Sequence, residues 1–398
     1  MRRRESRGRR TPSRALIAAF LIVTWQAGGG VHPALGLARL LVARGHEVRV
    51  LAPQLLEEQV QTAGCVWRPF PQEAEFDPAA GRAADEQRDY MEETFFGTIL
   101  PEAPRAEVRS DPPAALVVDA LLASTVSAAQ ALEPPVAALV HTLCSFHGDY
   151  EIFGTWGRAR IDELRNRLGQ DPLENEQSLF VELQRRCELE LVALPAEFDG
   201  RPELDENVVH MGWITEEAAA ATGSELHWDR TDPRPLVVVG LSSTYMHQEG
   251  LMERILTALS DLPVRVLAST GPELDPSELR VPENIEVRRW VPHPLVLPQT
   301  ALMVTHAGVG TLMAAFAYGV PCVCIPIGRD QPRNAARAVE LGAAIALPRD
   351  VQVDAIRAAV VQSLDSHDLR ANAGRLQRAI ADYRNGTRGV EALEELAG

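Results

Sequence analysis

The sequence predicts an α/β protein of two halves, each a parallel sheet covered by crossover helices. Three observations lead there. Short apolar runs alternate with stretches of helical period along most of the chain. A strand, glycine-rich loop, helix and strand follow one another at the start of the N-terminal half, the signature of a parallel unit. A polar segment interrupted by Gly and Pro, residues 211–235, then separates this half from a second α/β pattern beginning at Leu236. The chain length of 398 residues also suits two domains. The expected division is a disordered basic extension at 1–14, Rossmann-like domains at 15–212 and 235–398, and a linker at 213–234.

Composition narrows the function classes. A hydrophobic share of 46% with 24% charged residues is that of a soluble globular protein. The net charge of -16 argues against a nucleic-acid partner. All 39 basic residues are Arg. Without lysine there is no Schiff-base chemistry on a lysine and no Walker A phosphate loop. The run Ala15 to Val23 after the Arg-rich start could be read as a signal peptide. A first core strand is preferred, because a glycine loop and an amphipathic helix follow at once. No apolar run reaches the roughly 18 residues of a membrane helix. The five cysteines show no C-x-x-C spacing, which favours a reduced cytoplasm. Cys322 and Cys324 face one side of a strand and read as buried hydrophobes rather than metal ligands.

In the N-terminal half, the strand Ala15 to Val23 leads into Gly28, Gly29 and Gly30. Pro33 fits a first helical position, and Leu35, Ala38, Leu41 and Val42 recur with helical period up to a glycine cap at Gly45. Val48 to Leu51 begins the next strand. Later strands, Ala114 to Val118 and Val136 to Val140, end in Asp119 and His141. Ligands of open parallel sheets bind beyond the carboxyl ends of strands, so the Gly28–His32 loop, Asp119 and His141 are expected at one edge. Tyr90, Met91, Phe95 and Phe96, then Phe146, Tyr150, Phe153 and Trp156, read equally well as helix core or as the wall of an apolar pocket.

In the C-terminal half, strands are expected at Leu236 to Gly240, Val264 to Ala268, Ile285 to Arg288, Leu302 to Thr305 and Val320 to Ile325. His306-Ala307-Gly308-Val309-Gly310-Thr311 follows the fourth of these, and Thr311 to Tyr318 reads as a helix ending at Gly319. A glycine turn at a helix start offers free backbone N–H groups and the positive end of the dipole, which suits a diphosphate. His306 can add a donor. Upstream stands Trp290-Val291-Pro292, downstream Gly319-Val320-Pro321 and then Asp330-Gln331-Pro332-Arg333-Asn334-Ala335.

This order of Trp-x-Pro, His-x-Gly-x-Gly-Thr, Gly-Val-Pro and Asp-Gln-x-x-Asn-Ala resembles the donor signature of family 1 glycosyltransferases of the GT-B fold, bacterial enzymes of natural-product (macrolide and polyketide) biosynthesis among them. The resemblance implies two Rossmann-like domains facing each other across a cleft. The N-terminal one would bind the acceptor and the C-terminal one a nucleotide sugar. It implies that Trp290, with Val291 beside it, stacks on the base. His306 and the N–H groups near Gly308, Gly310 and Thr311 would hold the diphosphate, with Ser242, Ser243 and Thr244 as a second phosphate-facing loop. Asp330 and Gln331 would bond the donor sugar. Ala314 stands where many relatives carry a ribose-binding Glu, a departure that touches ribose recognition.

The implied activity is an inverting, hexosyltransferase-type transfer of a deoxysugar from a dTDP or UDP donor to a hydroxyl of an apolar small molecule. The nucleotide sugar is a co-substrate; no cofactor, metal or membrane segment is expected, and a homodimer is left open. Tyr90, Phe95, Phe146 and Phe153 are the candidate acceptor wall. In the family the general base is a His in the first N-domain loop. Aligned on Pro33, that position holds Gly30 here, whereas Asp119 matches the orienting carboxylate. Three readings stay open: His32 as base, Asp119 or His141 as base, or a catalytically silent binding partner. A sugar-nucleotide epimerase of the same architecture is a further rival, disfavoured by the aromatic clusters.

Overall fold

The computed structural model describes residues 17–26, 29–75, 84–148, 154–174, 178–201, 205–214, 232–242, 246–271 and 274–398. The expected extension at 1–14 lies outside them, as do residues 215–231 of the expected linker, Gly28, Tyr150, Phe153, Ser243 and Thr244.

The first sheet has seven parallel strands in the order β3-β2-β1-β4-β5-β6-β7. They are β1 (Ala19–Val23), β2 (Glu47–Ala52), β3 (Val66–Pro69), β4 (Ala115–Asp119), β5 (Val136–Val140), β6 (Leu189–Val192) and β7 (Val208–His210). The second has six parallel strands in the order β10-β9-β8-β11-β12-β13. These are β8 (Leu236–Gly240), β9 (Arg265–Ser269), β10 (Ile285–Arg288), β11 (Thr300–Thr305), β12 (Cys322–Cys324) and β13 (Ala344–Ala346). Strands such as β4, β5 and β8 are buried at every position, because helices cover both faces. That is why they read as unbroken apolar runs.

The helices that bear on the site are α1 (Val31–Ala43), α2 (Ala84–Phe96), α3 (Cys144–Gly148), α4 (Ala196–Asp199), α5 (Val309–Ala317), α6 (Gln331–Glu340), α7 (His367–Asp382) and α8 (Thr387–Leu396). Helix α1 starts at Val31, two residues before Pro33. The proline is still within the first turn, where a missing N–H costs nothing. Gly45, at φ 92°, turns the chain out of α1 into β2. Helix α5 likewise starts earlier than expected, at Val309, so Gly310 and Thr311 lie in its first turn. The strands missed in the sequence, β3, β6, β7 and β13, are four, four, three and three residues long, too short to show a period.

In both sheets the strand order reverses next to the opening strand, between β1 and β4 and between β8 and β11. Loops diverge at such points and leave a crevice. The two crevices face one cavity. One apolar cluster runs through both halves, with Phe198 of α4 packed on Phe316 of α5 at 6.0 Å between ring centres. The expected boundary at 235–398 misses one element: α8 crosses back to the first sheet, where Val390 and Leu393 are buried with Leu37, Leu41 and Leu191. Its apolar face finds its partner there rather than in the second domain. Among the described residues no helix is long and apolar enough to cross a membrane.

Candidate active site

A cavity of about 320 Å³ lies between the carboxyl ends of the two sheets. Its N-terminal wall is largely apolar, with Trp25, Tyr90, Met91, Phe95, Leu121 and Phe146, broken by His32, His141 and Thr142, and its C-terminal wall carries most of the polar groups. Phe95 belongs to the wall and meets Trp25 edge to face at 4.8 Å, whereas Phe96 turns into the core against Phe180. Tyr90 and Phe146 are also in the wall; Phe153 is outside the described residues.

Asp119 ends β4 fully buried, and His141 follows β5, the neighbouring strand. The His141 Nε2 lies 3.2 and 3.1 Å from the two carboxylate oxygens, and the Leu121 N–H donates to the same carboxylate at 3.0 Å. A carboxylate only accepts, so Nε2 carries the proton and Nδ1 the lone pair. Nδ1 is buried and has no hydrogen-bond partner in the protein, while the imidazole lines the cavity. Burial pushes the His141 pKa down. The charge and hydrogen bond of Asp119, joined by the charge of Asp330, outweigh it and raise the pKa above the ordinary imidazole value.

Gly30 explains how this pair fits. A Cβ there would stand 2.7 Å from Asp119 Oδ2 and 3.1 Å from His141 Nε2. The space of the absent loop histidine is filled by the imidazole of His141, brought by a different strand. His32, the first of the sequence candidates, is placed elsewhere. It sits on α1, its Nε2 is 2.6 Å from the Ile214 carbonyl, and its ring stacks on Trp213 at 4.6 Å. It borders the cavity, but its Nε2 proton is committed to that carbonyl, and Asp119 pairs with His141 instead.

On the other wall, β11 delivers His306 and then α5. Ala307 takes a positive φ of 67°, and its N–H donates to Thr305 Oγ1 at 3.2 Å. Gly308 is required next: a Cβ would lie 2.5 Å from His306 Nε2. The first hydrogen bond of α5 runs from the Leu312 N–H to the Gly308 carbonyl. The preceding N–H groups are therefore open at Gly308, Gly310 and Thr311, all of which line the cavity. Burial pushes His306 down to about 4; a hydrogen bond to the Gly240 backbone opposes this and the Arg329 charge adds to it. At neutral pH His306 is thus an uncharged imidazole whose one N–H is engaged by the Gly240 backbone.

Asp330 and Gln331 begin α6 and line the cavity. Burial raises the Asp330 pKa, against the hydrogen bond donated by Asn334 Nδ2 to Oδ2 at 2.7 Å and the charge of His141. The same Asn334 amide reaches the Ala307 carbonyl at 3.1 Å and so ties the two loops together. Gln331 Oε1 accepts from the N–H groups of Ile327 and Gly328 at 2.8 and 3.1 Å, which fixes the loop before α6. Trp290 is 66% exposed at the rim, with its face available, while Val291 beneath it is buried. Ser242 is buried at the cavity wall; Ser243 and Thr244 are outside the described residues. Ala314 and Ala317 line the α5 side. Trp25, Arg289 and Arg329 also reach the cavity, and no motif in the sequence marked them.

Two opposed parallel-sheet domains with an anion-ready helix on one wall and a His–Asp pair on the other make up the GT-B fold, and the chain is similar to glycosyltransferases of the bacterial natural-product type. Residues 253–396 match the family model described as Erythromycin biosynthesis protein CIII-like, C-terminal domain. The chain is 28% identical over 396 residues to the demethyllactenocin mycarosyltransferase of Streptomyces fradiae, covering 92% of this chain and 83% of that one. Its fold is that of the glycotransferase of kitacinnamycin, with a TM-score of 0.79 at 24% identity over 96% of this chain and 99% of that one. The glycosyltransferase VinC, solved in complex with dTDP, superimposes with a TM-score of 0.64 at 19% identity over 95% and 99%.

Proposed function

We propose that this protein is an inverting glycosyltransferase that moves a deoxysugar from a nucleoside-diphosphate donor to a hydroxyl of an apolar small molecule, with His141 as general base. The observation that carries the reading is the buried His141–Asp119 pair, whose imidazole, unpartnered at Nδ1, lines the cavity that also holds the N-terminus of α5. His141 Nδ1 takes the proton of the acceptor hydroxyl. The acceptor oxygen forms its bond to the anomeric carbon on the face opposite the diphosphate. The bond from that carbon to the diphosphate oxygen breaks, its electron pair leaves with the diphosphate, and the anomeric centre inverts. Asp119 orients the imidazole and stabilises its cation. The N–H groups at the start of α5 meet the charge that grows on the leaving group. The dTDP seen in a structural neighbour favours thymidine diphosphate over uridine diphosphate. The silent-partner reading rested on Gly30; the His141 imidazole beside Asp119 supports transfer instead.

Thermal unfolding with dTDP, UDP, GDP and ADP tests the donor half, since a ligand that binds only the native state raises the midpoint. A shift with dTDP is expected; no shift with any of the four at millimolar concentration sinks the reading. His141→Ala is expected to keep that shift and to lose about 10²- to 10⁴-fold in transfer rate, the usual contribution of a positioned base. Full activity in this variant would return the role of base to another group.

A further inference from the structure

At Gly29 the two walls of the cavity come into contact. This residue belongs to the loop between β1 and α1 and lines the cavity. A Cβ on it would stand 2.9 Å from Val309 Cγ1, closer than carbon atoms pack, and 3.8 and 3.9 Å from His141 Nδ1 and the Gly310 backbone nitrogen. Val309 opens α5 and is buried, and a β-branched side chain has few rotamers with which to give way. The three neighbours come from both domains: His141 follows β5, whereas Val309 and Gly310 begin the helix whose N–H groups face the cavity. The nitrogen assigned as base and an N–H assigned to the diphosphate thus lie within 4 Å of one point, the place of the side chain that Gly29 lacks. A second contact reaches the same turn of α5. Trp213 stacks on His32 at 4.6 Å, and a Cβ at Gly310 would stand 3.5 Å from its Cη2. That is ordinary contact and would tolerate a methyl group; the contact at Gly29 would not.

We infer that Gly29 is a positioning residue: because it has no side chain, the first loop of the N-terminal domain rests directly on Val309, and this contact sets the distance between His141 and the first turn of α5. Its effect on rate rests on the transferase reading; its effect on spacing rests on contact geometry alone. A base on one domain and a leaving-group site on the other must serve one substrate of fixed bond lengths. A misplacement of about 1 Å can then cost on the order of a hundredfold in rate.

The test compares the wild type with Gly29→Ala, Val309→Ala and the double variant, all as the full chain. Removing Val309 Cγ1 makes room for the new methyl group, so the double variant should regain what Gly29→Ala loses. One readout needs no substrate: NMR of the histidine rings follows the titration of His141. Against burial, which lowers that pKa, Asp119 of its own domain and Asp330 of the opposite one raise it. Moving the walls apart weakens the Asp330 contribution, so Gly29→Ala is expected to lower the His141 pKa and the double variant to restore it. The other readout is glycoside formation from dTDP-rhamnose with 2-naphthol as the probe acceptor. Gly29→Ala is expected to lose roughly ten- to a hundredfold in kcat while the dTDP-induced thermal shift is kept, and the double variant to recover most of that loss relative to Val309→Ala. A His141 pKa that does not move in Gly29→Ala overturns the inference, since the added methyl is then absorbed within the loop. A loss that Val309→Ala does not rescue overturns it too, because the contact with α5 is then not its cause. So does a Gly29→Ala variant that transfers as the wild type does. A wild type that forms no glycoside but shows the pKa change and its rescue counts against the transferase reading and keeps the spacing assignment.

Discussion

Gly30 and His141 share one small volume beside Asp119, and each constrains the other. Gly30 has an ordinary φ of -74°, so an alanine meets no backbone strain there, only the carboxylate and the imidazole. Gly30→Ala is therefore expected to push Asp119 away from His141 and to lower kcat by about tenfold or more, within the range of losing a base, with the dTDP shift intact. A wild-type kcat in this variant would mean the pair is not used. The pH dependence follows from the same pair. The base must be neutral, and its pKa is raised, so kcat/KM should climb with pH and level off only above the ordinary imidazole value of about 6.5. A profile already flat at pH 6 would count against His141. Neutral His306, at about 4, adds no inflection near neutrality. His32→Ala should leave the profile in place, because its ring is spent on Ile214 and Trp213.

Helix α6 does two jobs one turn apart. Its first turn carries Asp330, Gln331 and Asn334 at the cavity. Its second turn carries Arg337, whose Nε and Nη2 donate to the Phe198 and Glu197 carbonyls at 2.9 and 2.8 Å. Those carbonyls belong to α4 of the other domain, which ends at Gly200 with φ 65° under the guanidinium. From α4 the buried Asp199 accepts from the Cys144 N–H at 3.0 Å, at the start of α3 and three residues beyond His141. A chain of hydrogen bonds thus links the Asp330 loop to the His141 loop. Arg337→Ala should cost about 2 kcal/mol in urea unfolding, the scale of charged hydrogen bonds on a partly shielded side chain. Arg337→Lys should recover only part, because an ammonium cannot fork between two carbonyls. An unchanged midpoint in Arg337→Ala would show that the clamp adds nothing.

The whole molecule is closed by its last helix. After the second domain is complete, α8 returns to the first sheet and buries Val390 and Leu393 against α1, while Glu394 pairs with Arg44 and His46. The two domains are thus joined by residues 211–214, by the α6 clamp and by this return. Deleting residues 387–398 should destabilise the N-terminal half by about 3–6 kcal/mol, the burial of two large aliphatic side chains. The check is whether the truncated chain shows a separate, earlier unfolding transition; a single unchanged transition would mean that α8 is only an appendage.

The sequence by itself determined the architecture and the donor wall. Helix-covered parallel strands must be apolar throughout, so β4, β5, β8 and β11 were legible as runs, and a strand, glycine turn and helix in succession is a local pattern that places His306, Gly308 and Gly310 together. Asp119 and His141 were legible as strand ends at one edge for the same reason. The tertiary structure alone decided which histidine meets Asp119. That choice depends on strand order, which sets β5 next to β4, and on a start for α1 that turns His32 toward Ile214. It also decided that Trp25 joins the cavity wall and that α8 belongs to the first domain, since no local motif marks either placement. Local propensity is written along the chain, whereas the partner of a buried polar group or apolar face is fixed only when distant segments are brought together.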